Sequence, residues 1–183
     1  MSVDKESIFI EVSKCIEYDP ETGSMTWIKR EPKTRGDKIW NTRFAGKECG
    51  GDSRGYRRIF FCSETGEKAS IRAHRLAWFM YYGVMPTMQI DHINQNKADN
   101  RISNLREVTN SENQRNIKLP STNKSGVIGV YWHSIGKKWC AQVKVNDVQH
   151  YLGMYSDIKE AEKVVKEFRS QHGFTENHGR KAA

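Results

Sequence analysis

The sequence predicts an α+β protein, and three stretches carry that prediction. Residues 56–62 (YRRIFFC) and 68–71 are short β-prone runs separated by Glu64-Thr65-Gly66-Glu67, the pattern of a hairpin. Residues 89–116 (QIDHINQNKADNRISNLREVTNSENQRN) read as a short strand, a polar loop, a second short strand and a helix start. Residues 127–171 read as three strands joined by tight turns and followed by one amphipathic helix. The expected architecture is an N-terminal α/β region leading into a small strand–strand–helix core, then a three-stranded antiparallel sheet plus one helix.

The elements follow in order. Residues 2–17 fit a helix with Ile8, Val12, Cys15 and Ile16 on one face. Tyr18-Asp19-Pro20-Glu21-Thr22-Gly23 reads as a turn into a strand at 24–28. Residues 29–43 are basic and irregular, with Trp40 the expected anchor, and 46–55 is Gly-rich and expected to be loop. Residues 74–82 fit a short helix with Leu76, Phe79 and Met80 on its apolar face, ended by Gly83 and Pro86. It is expected to pack beneath the hairpin of the 89–116 stretch.

That stretch holds the chemistry. Asp91-His92 ends its first apolar run, and Thr109 with Glu112 fits a capping box at the helix start. Seven asparagines fall in the window, at 94, 96, 100, 104, 110, 113 and 116, more than turns alone require. An imidazole takes a proton from water near neutral pH. A carboxylate and an amide oxygen are hard donors suited to Mg²⁺ or Mn²⁺. A base beside such an ion is an arrangement for hydrolysing a phosphodiester. An Asp-His dipeptide by itself is an ordinary surface pair; the ordered spacing singles it out.

Asp91-His92, then Asn104-Leu105-Arg106, then Ser111-Glu112-Asn113 resembles the HNH motif of the ββα-metal nucleases, with the nearest likeness to phage and intron-encoded homing endonucleases. The resemblance implies a ββα core at about 88–117. It also implies that His92 is the general base and Asn104 the brace of the loop, both counted as catalytic. Asp91 and Asn113 would be the protein ligands of one Mg²⁺ or Mn²⁺ ion. Asn in the last place is a common variant of the motif. The run AHRLAWFMYYG (73–83) also recurs in phage HNH proteins. Within it His74 is expected to be structural or phosphate-contacting, and Arg75, like Arg106, to contact DNA.

Residues 117–126 (IKLPSTNKSG) are polar, contain Pro120 and lack periodicity, so they read as a linker between a first domain, 1–116, and a second, 127–173, with a tail at 174–183. In the second domain 127–133, 139–145 and 149–155 are the strands. Ser156 is the expected cap of a helix at 157–171 whose stripe is Ala161, Val164, Val165 and Phe168, with Gly173 at its end. Alternation turns Trp139, Ala141, Val143 and Val145 toward the helix. The opposite face then carries Tyr131, His133, Gln142, Lys144, Gln149 and Tyr151, polar and aromatic groups suited to phosphates and base edges. Gly129-Val130-Tyr131, Trp139-Cys140-Ala141-Gln142 and Leu152-Gly153-Met154-Tyr155 resemble the strand signatures of the AP2 domain. That family docks its sheet in the DNA major groove. Its plant members use several Arg where this chain has Tyr131, His133, Lys144 and Gln149, so the fold carries over but sequence preference does not.

Composition agrees with a polyanionic partner. Net charge is +8 and the isoelectric point about 9.3. Residues 118–183 carry 11 Lys+Arg against 6 Asp+Glu. No stretch approaches a membrane span, and no signal peptide opens the chain. The four scattered cysteines, without Cys-x-x-Cys, suggest neither a structural zinc nor a disulfide framework. An intracellular protein is expected, in the cytoplasm of a bacterial host if it is phage-encoded. The reading is a metal-dependent endonuclease that nicks double-stranded DNA as a monomer. The rivals are a non-catalytic AP2-type DNA-binding regulator with an inactive HNH fold, and an RNA-binding protein carrying a nuclease relic.

Overall fold

A computed structural model describes residues 5–63 and 66–180. Residues 2–4 of the expected first helix, Glu64 and Thr65 of the expected hairpin turn, and the last three residues of the tail lie outside the described residues. The structure is mixed α and β, and the chain divides into two compact units, Met1–Glu107 and Val108–Ala183. The division falls ahead of the expected linker, so the helix that starts at Asn110 belongs to the second unit.

The first unit opens with helix α1 (Lys5–Ser13), then β1 (Ile16–Tyr18) and β2 (Met25–Trp27), an antiparallel pair with Ile16 opposite Trp27. The helix expected over 2–17 therefore stops at Ser13. Ile16 extends the helical apolar spacing but is fully buried as a strand residue instead, because β2 supplies its backbone partners. Residues 29–43 are not irregular: they contain helix α2 (Arg35–Phe44). Its signal is a capping box, in which the Thr34 hydroxyl accepts from the Asp37 N–H and the Asp37 carboxylate accepts from the Thr34 N–H. Trp40 does anchor this segment, edge-on to Trp27 with the Arg30 guanidinium 3.7 Å above its ring.

The Gly-rich stretch contributes β3 (Gly51–Ser53) as well as loop, and β3 pairs with β4 (Tyr56–Cys62), which pairs with β5 (Lys68–Arg72). Along β4, Ile59 and Phe61 are buried while Phe60 between them is exposed, as a half-covered sheet requires. Helix α3 (Ala73–Tyr82) lays Leu76, Ala77 and Phe79 on that core and ends where Gly83, at φ +73°, donates its N–H to the Phe79 carbonyl. Complete burial of Leu76 is worth roughly 1.5–3 kcal/mol. Strand β6 (Gln89–His92) and strand β7 (Leu105–Val108) form a separate two-stranded sheet, with a 3₁₀ turn at Ile102–Asn104 leading into β7.

The second unit begins with the short helix α4 (Asn110–Gln114), which starts at the expected Thr109–Glu112 capping box. Strands β8 (Val130–His133), β9 (Lys138–Val145) and β10 (Val148–Tyr155) form an antiparallel sheet in the order β10-β9-β8. The turn between β9 and β10 has Asn146 and Asp147 both at positive φ, the conformation that two-residue hairpins favour. Helix α5 (Ile158–Gln171) packs Ala161 and Val165 against Ala141, Val143 and Val145. Its cap is Asp157 rather than Ser156: the Asp157 carboxylate accepts the Lys159 N–H. Residues 115–119 bond to the chain's last described residues. Thr175 N–H donates to the Arg115 carbonyl, Gly179 to Ile117, and Leu119 to Arg180. The start of the expected linker and much of the expected tail thus tie each other down.

Candidate active site

Asp91 and His92 close β6, and Asn104 stands at the entry to β7. The loop between them is held chiefly by asparagine amides. The Asn104 carbonyl accepts the Ile93 N–H at 2.9 Å, its side-chain Oδ1 accepts the Asn94 N–H at 3.0 Å, and its Nδ2 donates to the Asp99 carbonyl at 2.9 Å. One buried side chain therefore ties both ends of the loop. Asn94 and Asn96 make side-chain turns, accepting the N–H groups of Asn96 and Ala98. The Asp99 carboxylate accepts from Arg101 Nε and Nη2 and from Asn94 Nδ2, and the Arg101 guanidinium holds its carboxyl down to about 2.

The β1–β2 hairpin supports the far side of this loop. The Tyr18 hydroxyl donates to the Asn100 carbonyl at 2.8 Å and Ile102 N–H donates to the Pro20 carbonyl. Gly23, at φ +74°, comes so close that a Cβ there would fall 2.5 Å from the Arg101 nitrogen. Asn104→Ala should leave two polar backbone groups without their partner, at roughly 1–3 kcal/mol each. With roughly 2–4 °C per kcal/mol for a chain of this size, the melting temperature is expected to fall by roughly 4–24 °C. A melting curve unchanged by the substitution would remove Asn104 as the brace.

His92 is buried, with Nε2 3.5 Å from the Asn100 amide oxygen. Burial lowers its pKa, so the ring is unprotonated at neutral pH and one nitrogen can accept a proton. The His74 ring stands edge-on at 5.0 Å, and Tyr56 lies within 6.0 Å of both imidazoles, at 5.4 Å from His74 and 6.0 Å from His92. Lys97 and Arg72 in turn sit over the Tyr56 ring at 4.6 and 5.3 Å. The sequence reading assigns Lys97 no role, takes Tyr56 only as the start of a strand and Tyr18 and Gly23 only as turn residues, and counts Asn100 among the asparagines without placing it beside His92. Asn100 stands out in the asparagine-rich window, but nothing local marks Tyr56 or Tyr18.

His74 is 3% exposed, and burial, followed by His92 and Arg72, pushes its pKa down to about 3. The unfolded chain protonates the same ring near 6.5, so between those values it binds a proton that the fold refuses. Stability should therefore fall as pH drops from 6.5 toward 3, and His178, pushed down to about 4, acts in the same direction. Thermal melts from pH 7 to 5.5, above most of the range in which ordinary carboxylates titrate, should show a progressive decline. A flat profile there would contradict a neutral buried His74.

Both hydrogen bonds of the Arg106 side chain, from Nε at 3.1 Å and Nη2 at 2.8 Å, go to Asp91 Oδ2. Arg75 donates to the carbonyls of Met88 and Pro86. The structure thus places two of the sequence-derived DNA contacts on partners within their own unit. Asn113 lies on α4 in the second unit, its N–H bonded to the Thr109 carbonyl. Register puts Tyr151 opposite Gln142 and Gln149 opposite Lys144 on one sheet face, with Lys144 also paired to Asp147. On β8, Tyr131 is opposite Cys140, and His133 is opposite Lys138 with its Nδ1 accepting the Gly136 N–H. Tyr131 and Tyr151 are exposed.

Among the described residues no three His, Cys, Asp or Glu side chains cluster as a metal site. Of the two ligands expected from the sequence, the Asp91 carboxylate lies in the first unit and the Asn113 amide in the second. A carboxylate oxygen and an amide oxygen are each donors that a hard divalent cation takes, and Asp91 Oδ2 already faces a positive group in the Arg106 guanidinium.

Two comparisons bear on this geometry. The HNH endonuclease family matches residues 72–115, the segment that runs from the end of β5 through α3 to α4, so the site lies in an HNH endonuclease domain. Protein 3.8 of Escherichia phage T7 is 29% identical over 103 residues, covering 56% of this chain and 85% of that protein. No solved structure matches. Among the described residues no helix is long and apolar enough to cross a membrane.

Proposed function

We propose that this chain is a Mg²⁺- or Mn²⁺-dependent homing-type endonuclease that nicks duplex DNA, with the second unit serving as an AP2-like DNA-binding module. The observation that carries the reading is His92: a buried imidazole, unprotonated at neutral pH, directly after Asp91 in a loop braced by Asn104. In the proposed step His92 takes a proton from water as the water oxygen attacks phosphorus in line with the 3′ oxygen. The P–O3′ bond breaks and the departing 3′ oxygen takes a proton from solvent, leaving 5′-phosphate and 3′-hydroxyl ends. Asp91 and Asn113 would hold a single ion, which when bound supplies charge stabilisation to the phosphate and the departing oxygen. Asn104 keeps the loop rigid so that His92 stays aimed at the water. The β8–β10 face, through Tyr131, His133, Gln142, Lys144, Gln149 and Tyr151, would hold the duplex. As a phage-type enzyme it would act on DNA in the bacterial cytoplasm.

The sequence contains one Asp-His pair in this context, so one chain cuts one strand per event. The test is supercoiled plasmid with limiting enzyme, with Mg²⁺ or with EDTA. Open circles are expected to accumulate before linear DNA, and only with metal. Binding without cleavage would favour the non-catalytic regulator. Direct conversion to linear product by a dimeric species would overturn the monomeric nickase.

A further inference from the structure

The duplex-binding face assigned above lies in the second unit. The two arginines of the first unit that the sequence offers to DNA, Arg75 and Arg106, are bonded within that unit. The first unit nonetheless presents a basic surface beside the candidate base. In the β3–β4–β5 sheet, Ile59, Phe61 and Ile71 are buried on one face. Alternation and register put Arg58, Phe60 and Cys62 of β4, and Lys68, Ser70 and Arg72 of β5, on the other. Phe60, in the middle of this face, is 72% exposed. These residues include three cations and no acid.

Arg58 stands directly opposite Arg72 in the ladder. Like charges so placed destabilise a strand pair. Among the described residues neither guanidinium, nor the Lys68 ammonium, is paired with a carboxylate. Arg57, which alternates to the covered face, does have such a partner in Glu48. On its other side Arg58 faces Gly51, which has no side chain to cover it. The cations also lead to the candidate base. Arg72 and Lys97 both lie over the Tyr56 ring, and that ring is 6.0 Å from the His92 ring. Residues two apart on a strand advance roughly 6.5–7 Å, so the arginine pair stands about one such step from Tyr56.

We propose that this sheet face is a second DNA-binding surface, resting on the duplex-DNA partner proposed above, and that it carries the backbone next to the scissile phosphate. Arg58, Lys68 and Arg72 bind phosphates, which supplies the counter-charge that the fold withholds from them. Phe60 lies against the minor groove as an apolar contact. Phosphate contacts fix the position of a duplex without reading its bases, so the face holds a strand at His92 whatever its sequence.

The test uses the full chain in EDTA, so that binding to a duplex oligonucleotide is read by fluorescence anisotropy without cleavage. Cys62 is exposed on this face, whereas Cys49 and Cys140 are buried. Its alkylation by iodoacetamide, followed by peptide mass spectrometry, should slow in proportion to the fraction of protein bound to duplex. Arg58→Gln and Arg72→Gln, which keep part of the stem and remove the charge, should each lower the salt slope of binding by about 1, equally for unrelated sequences. Phe60→Ser should weaken binding but leave the slope unchanged, since it removes no charge. Should a variant fail to fold, the Cys62 measurement on the wild-type protein decides the matter. A chain that binds duplex while Cys62 reacts at the free rate overturns the surface, as does a folded double arginine variant with the wild-type slope. Stronger protection of Cys62 by duplex RNA than by duplex DNA overturns DNA as its occupant. Protection by duplex DNA in a chain that never cleaves with Mg²⁺ upholds the surface and defeats the nuclease reading instead.

Discussion

His92→Ala is expected to slow single-turnover DNA cleavage by roughly 10²–10⁴-fold, the usual contribution of a positioned general base, while duplex affinity stays nearly unchanged. The expectation follows from where the ring sits. It is buried, so it contributes almost nothing to a DNA-facing surface, yet burial also keeps it unprotonated and ready to accept a proton. It packs against His74 and Tyr56, so its removal opens space beside those rings and costs some stability as well. His92→Gln, which fills more of that space and cannot act as the base, separates the two effects. A glutamine variant that melts near wild type but cleaves at the alanine rate assigns the loss to chemistry. Cleavage by either variant at close to the wild-type rate would take His92 out of the mechanism.

The regular elements are legible in the sequence wherever one face is buried and the other wet. Strand β4 shows this in the Ile59–Phe60–Phe61 alternation, as do β9 and the stripe of α5. The errors occur where tertiary pairing overrides local pattern. Ile16 prolongs a helical spacing that the β2 partner converts to strand. Helix α2 hides because Gly36, Asn41 and Thr42 are poor helix formers and none of its residues is buried. Its one local signal is the Thr34–Asp37 capping box, the same signal that correctly marks Thr109–Glu112. At the candidate site, the spacing of Asp91, His92 and Asn104 is visible because the loop is local. The supports from Tyr18, Gly23 and Tyr56 are not, since each reaches the loop from a hairpin far away in the sequence. Nor does the sequence show that Arg106 is bound to Asp91, because Arg and Asp fifteen residues apart are brought together only when β6 and β7 are neighbours.

Asp91→Asn is expected to lower the cleavage rate on the order of 10³-fold and to move half-saturation to higher Mg²⁺. A bound ion contributes several kcal/mol of transition-state charge stabilisation, and each factor of ten corresponds to about 1.4 kcal/mol. Asparagine keeps the size of the side chain and one oxygen for Arg106, but it removes the negative charge that makes the site attractive to a hard cation. Arg106 then faces a neutral partner. Because that guanidinium is about one-third exposed, water can solvate it, so the fold is expected to lose little. Arg106→Met makes the opposite change. It frees the carboxylate from its competing cation and should move half-saturation to lower Mg²⁺ while leaving His92 in place. Asn113→Ala should weaken metal dependence less than Asp91→Asn, since it removes a dipole rather than a charge. Mn²⁺ binding followed by electron paramagnetic resonance, without DNA, measures the same order independently of turnover: Arg106→Met tightest, then wild type, then Asn113→Ala, then Asp91→Asn. Mn²⁺ affinity and cleavage both unaltered in Asp91→Asn would show that the carboxylate beside His92 holds Arg106 and no metal.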